Sequence, residues 1–166
     1  MAQPLDIRPL LDPEISALLA ASPIDIGAAL GSLTNESVVE IRTMFGATPP
    51  PPLSDSVERT DYPVPGRDGV TVRVHRPKNI TGARPCVYWM HGGGLVIGDN
   101  KMDDARFDNW CNTYGIVGVS VDYRLAPEHP YPTPLEDCYA GLAWVIAQAG
   151  ELGVDTNRLG IGGASA

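Results

Sequence analysis

Three short apolar runs constrain this chain more than any other feature. They are Cys86–Met90 in CVYWMHGGG, the stretch IVGVSVDYR that begins at Ile116, and RLGIGGASA from Arg158 to Ala166. Near-continuous runs of this length read as strands covered on both faces. Between them lie two stretches with helical character, DDARFDNWCNTYG (Asp103 to Gly115) and PLEDCYAGLAWVIAQAGELG (Pro134 to Gly153). Each ends on glycine, the residue that most readily takes the left-handed stop conformation. Parallel strands need a crossover connection, and a helix supplies it. Strand–helix–strand–helix–strand therefore predicts an α/β fold with a mostly parallel central sheet and helices on both faces.

Upstream the period changes. VERTDYPVP from Val57 and VTVRVHRP from Val70 alternate apolar and polar residues, with Gly66-Arg67-Asp68-Gly69 between them. They read as an antiparallel hairpin at a sheet edge, with His75 in solvent. Residues 1–48 are different again. Asp12 to Ala21 carries a cap residue and Pro13 at the first helical position, and Leu33 to Phe45 puts Val38, Ile41 and Phe45 on one helix face. Two such helices cannot bury their own apolar faces. Pro49–Pro52 reads as a stiff connector to the unit spanning residues 54–166.

Composition removes several classes of function. Net charge is −8, from 20 acidic and 12 basic residues, which repels phosphate backbones and argues against nucleic-acid binding. Cys86, Cys111 and Cys138 are odd in number and widely spaced, which argues against a disulfide framework and against a metal centre. The N-terminus lacks a basic segment followed by an apolar one, and no apolar run is long enough to span a bilayer. The expected protein is cytoplasmic, with no membrane partner.

Chemistry concentrates in three places. His91-Gly92-Gly93-Gly94 comes after the first apolar run, and its glycines leave backbone amides uncovered beside any reaction centre. Gly163-Ala164-Ser165-Ala166 closes the third, where small residues around one serine suit a tight strand-to-helix turn. DYRLAPEHPYPTPLEDCYAGLAW (Asp122 to Trp144) is a proline-braced loop leading into a helix, in which Arg124, Glu128 and Asp137 are expected to form an ion-pair network. His129 in that loop reads as a structural or surface residue, and His91 as a residue that orients the glycine loop.

Taken together, HGGG, DYRLAPEHPYP and GIGGASA resemble the hormone-sensitive-lipase group of α/β-hydrolases, a group of bacterial carboxylesterases. The likeness runs from about Val57 to Ala166, and the N-terminal helices are similar to the start of that group's cap. The resemblance implies the N-terminal half of an α/β-hydrolase fold. It implies Ser165 as nucleophile, with Gly92, Gly93, Gly94 and the amide of Ala166 forming the oxyanion hole and His91 supporting the motif. It implies no cofactor and a short- to medium-chain acyl ester as substrate, hydrolysed through an acyl-enzyme. Where many members carry Asp before the serine, this chain has Ala164. The family order of the triad is Ser, Asp or Glu, then His, and only Ala166 comes after Ser165. None of His75, His91 or His129 matches the base position. The expectation is thus a longer protein whose remainder supplies acid and base, with a possible homodimer, and a chain that neither folds nor hydrolyses well alone. Two rival functions stay open: a non-catalytic small-molecule receptor on the same scaffold, and acyl transfer to an alcohol.

Overall fold

The computed structural model of the chain describes residues 11–21, 34–46 and 52–165. Ala166, the side chain of Phe45 and most of the Pro49–Pro52 connector lie outside the described residues. The chain divides into two compact units, Met1–Ser37 and Val38–Ala166. In the first, helix α1 (Pro13–Ala21) starts as expected: the Glu14 amide donates to Asp12 Oδ1 at 2.8 Å. It buries none of its own residues. Helix α2 (Asn35–Gly46) leads into the second unit, where Val38 is buried.

The second unit is built on one sheet of five strands: β1 (Val57–Pro63), β2 (Thr71–Pro77), β3 (Arg84–Met90), β4 (Val117–Asp122) and β5 (Val154–Gly163). Their spatial order is β1-β2-β4-β3-β5. The hairpin β1–β2 is antiparallel, and so is β2–β4, whereas β4–β3 and β3–β5 are parallel. Helix α3 (Asp104–Tyr114) makes the crossover from β3 to β4. Helices α4 (Thr133–Ala147) and α5 (Ala149–Leu152) make the one from β4 to β5. Gly115 stops α3 and Gly153 stops α5, with φ of 61° and 69°, as their position in the sequence predicts, whereas the long helix expected over Pro134 to Gly153 is broken at Gln148, where α4 ends.

The pleat divides the side chains between two layers. Val72, Val74, Tyr88, Val117, Val119 and Val121 share a core with Val145 of α4 and Ala149 and Leu152 of α5. Each such burial of a large apolar side chain stabilises the fold by about 1.5–3 kcal/mol. The Tyr88 hydroxyl donates to the Cys138 carbonyl at 2.8 Å and ties β3 to α4. On the opposite face Phe107 of α3 lies over Gly118 and stacks on His75, with ring centroids 4.8 Å apart.

Three expectations change with the fold. His75 is not solvated. It is fully buried, and its Nε2 donates to Asp104 Oδ1 at 2.8 Å. Strand alternation correctly put His75 opposite the valines, but α3 covers that face too. Asp104 also accepts from Arg73, which in turn pairs with Asp61. Burial opposes ionisation of Asp104, and His75 and Arg73 outweigh it, so the carboxyl titrates below its usual range. Second, β5 is not a fully buried strand: only Val154 is buried and Ile161 is 59 % exposed. It is the last strand of the sheet, and among the described residues nothing pairs with its outer edge. Third, Glu128 takes no part in the Arg124–Asp137 pair. Arg124 binds Asp137 through two nitrogens at 2.8 Å, whereas Glu128 is paired with Arg42.

Candidate active site

The parallel pairing of β3 with β5 determines where the site lies. Met90 sits opposite Gly163, so the two strands end side by side. Strand β3 runs on into the glycine loop, and β5 runs on into Ala164-Ser165. The Ala164 amide extends the ladder by donating to the Met90 carbonyl at 3.2 Å. This is the C-terminal edge of the parallel strands, where open α/β sheets hold their ligands.

Ser165 has φ of 59°. Left-handed backbone is unfavourable for a residue with a Cβ, and such outliers cluster at functional positions. The residue is exposed and lines a cleft with Met90, Leu95, Tyr131, Leu135 and Cys138. Apart from Ser165 this wall is largely apolar. Burial pushes the Cys138 thiol up to about 12, with Asp137 adding to the effect, so it remains a neutral thiol at physiological pH.

The glycine loop is wound against this turn. A Cβ on Gly92 would lie 2.7 Å from the Ala164 carbonyl oxygen, so a side chain there would push the loop off the serine turn. Gly93 has φ of 127°, and a Cβ on it would meet the Ile97 carbonyl oxygen at 2.1 Å. Gly94 and Leu95 come next, with φ of 61° and 63°. The Gly93 carbonyl accepts from the amides of both Val96 and Ile97 at 3.1 Å, closing a compact turn.

His91 anchors the start of the loop. Its ring lies parallel to that of Tyr123, with centroids 4.2 Å apart. Nδ1 is 2.8 Å from the Gly92 carbonyl, which can only accept, so Nδ1 carries the proton. The Tyr123 hydroxyl donates to the His91 carbonyl at 2.8 Å. Burial lowers the pKa of His91, against the opposing effect of the Gly92 carbonyl and nearby Asp99 and Asp103. The imidazole is a neutral strut rather than a base facing the serine.

The residues singled out from the sequence therefore converge: Ser165, Gly92, Gly93, Gly94 and His91 stand at one sheet edge. Ala166 lies outside the described residues. His75 is committed to Asp104 beneath α3, and the His129 amide donates to the Leu125 carbonyl within its own loop.

A profile of the α/β-hydrolase fold family matches residues 87–166, the stretch that carries both the glycine loop and the serine turn. The whole chain aligns at 37 % identity with carboxylesterase NlhH of Mycobacterium tuberculosis. The chain has an α/β-hydrolase fold. Carboxylic ester hydrolase LipN of the same organism is 37 % identical over 94 % of this chain. The solved structure of a bacterial heroin esterase superposes with a TM-score of 0.71 at 34 % identity, covering 95 % of this chain and 50 % of that one. The chain spans about half the length of the curated relatives it matches, 51 % of NlhH and 42 % of LipN. Among the described residues no helix is long and apolar enough to cross a membrane.

Two residues of the site region escape sequence reasoning. Tyr123 looks like part of a strand end, and Arg42 like one charge on an amphipathic helix. Only the spacing of Val38 and Ile41 on that helix carries a signal.

Proposed function

We propose that this chain carries the nucleophile and oxyanion hole of a carboxylesterase, with Ser165 as the nucleophile. The reading is supported most by one observation: Ser165 holds a left-handed φ at the end of β5, against a glycine loop that can approach only because Gly92 has no side chain. The esterase names of the relatives point the same way.

In this mechanism Ser165 Oγ attacks the ester carbonyl carbon, and its proton passes to a histidine on residues beyond Ala166. Negative charge gathers on the former carbonyl oxygen. The amides of Gly93, Gly94 and Ala166 donate to it. The tetrahedral intermediate collapses, the C–O bond to the alcohol breaks, and the alcohol leaves with the histidine's proton. Water then attacks the acyl-enzyme by the same route, and the acid departs as Ser165 recovers its proton. The apolar cleft walls suit a short- to medium-chain acyl ester.

The test uses the full-length protein and p-nitrophenyl acetate. Ser165→Ala is expected to lower kcat by about 10³-fold or more while the protein remains folded. Turnover that persists in the variant rejects the mechanism. A wild-type protein without turnover, yet binding small esters, rejects it in favour of a receptor.

A further inference from the structure

One arginine joins the two loops that border the cleft. Arg42, on α2, sends Nε to the Val96 carbonyl at 2.7 Å and Nη2 to the Ala126 carbonyl at 2.7 Å. Nη1 and Nη2 then grip Glu128 Oε1 and Oε2 at 2.7 and 2.9 Å. The planar fork is thus used on both its edges, a geometry that lysine cannot reproduce. The two loops also share a backbone bond, from the Ala126 amide to the Leu95 carbonyl at 2.9 Å. Glu128 is held ionised: the Arg42 bonds bring its carboxyl down to about 2.

The Val96 carbonyl is not a remote point of attachment. Val96 belongs to the turn closed on the Gly93 carbonyl, and Gly93 packs so closely on Ile97 that no side chain fits between them. A shift of Val96 therefore carries Gly93 with it. The link from Val96 to Gly93 is a backbone hydrogen bond, stiffer than a side-chain contact.

We propose that Arg42 is a positioning residue for the oxyanion hole: it sets where the Gly93 and Gly94 amides point by clamping the glycine loop, through Val96, to the Ala126–Glu128 loop. The proposal rests on the esterase reading of Ser165. Arg42 touches no reacting atom. Its contribution is registered only where the oxyanion forms, because a donor slightly out of place matters most in the transition state.

The experiment compares Arg42→Met, Arg42→Lys and Glu128→Gln in the full-length protein, with Ser165→Ala as control. Readouts are kcat, KM, and the Ki of a trifluoromethyl ketone whose tetrahedral adduct places an oxyanion in the hole. Arg42→Met is expected to lower kcat by about 10- to 100-fold, since small misplacements near a reaction centre have effects of that order. KM should change little, and Ki should rise in step with the fall in kcat. Arg42→Lys keeps the charge but not the fork and should fall between Arg42→Met and wild type. Glu128→Gln leaves both carbonyl bonds possible and should lose least. Should Arg42→Met fail to fold, the graded order of the other two against wild type carries the test. Folded Arg42 variants with wild-type kcat and Ki overturn the clamp. So does a loss of activity that only tracks the folded fraction, which marks a purely structural bond. If Ser165→Ala retains turnover, the esterase reading fails and the clamp falls with it; if only the Arg42 series is flat, the esterase reading stands.

Discussion

His91 is pressed flat against Tyr123, with one nitrogen donating to Gly92 and the other buried without a partner among the described residues. A second proton would place a charge in that stack. Burial therefore holds the folded-state pKa below the ordinary 6.5. Below pH 6.5 the unfolded chain binds more protons at this residue than the folded one. Stability thus rises with pH through that window and is lost as pH falls toward the folded value. Thermal melting across this range should show a decline below about pH 6.5 that His91→Gln flattens, since glutamine can donate to Gly92 without titrating. An equal slope in both proteins would assign the decline to other groups.

At the level of elements, the Arg124–Asp137 pair fixes the start of α4 to the loop that leaves β4. Asp137 is fully buried, and its other neighbour Arg67 stands 3.6 Å away. Burial raises the pKa of such a carboxyl, yet the bonds from Arg124 outweigh it and the group titrates below its usual range. Removing one partner of a buried pair strands the other, at a cost of about 3–5 kcal/mol, discounted in this case because Arg124 is partly in solvent. Asp137→Ala should therefore lower the urea midpoint markedly, whereas Glu136→Ala on the exposed side of the same turn should not. This pair is legible in the sequence because its members lie thirteen positions apart in one loop-and-helix segment. Arg42 and Glu128 are eighty-six positions apart, and no local pattern announces their meeting. His75 shows the complementary limit. Alternation tells which residues share a face of a strand, but not whether a helix will come to cover it. The glycines of the site are readable for the opposite reason: left-handed backbone at Gly93 and Gly94 and the close approach at Gly92 exclude most side chains, so the requirement is written into residue type.

For the molecule as a whole, β5 is the feature with the widest effect. Its apolar run looks like that of β4, yet β4 is buried along almost its entire length and β5 is not. Position within a sheet is a property of strand order, which a single run does not encode. An apolar strand with an open edge is a template for further pairing. Residues 1–166 expressed alone should self-associate as concentration rises, measured by light scattering, and Ile161→Lys on that strand should reduce it. A monomer at all concentrations would contradict this.

The register of β3 with β5 also bears on when the site comes into being. Met90 and Gly163 are separated by about seventy residues of chain, yet one parallel ladder places the glycine loop beside the serine. Closing so long a loop is a late, non-local event in folding. As the chain emerges from the ribosome, β3, α3, β4 and α4 all appear before β5 does. The residues of the glycine loop are therefore made before the serine that they meet. Ser165 and the glycine loop thus meet in the step that adds β5 to β3.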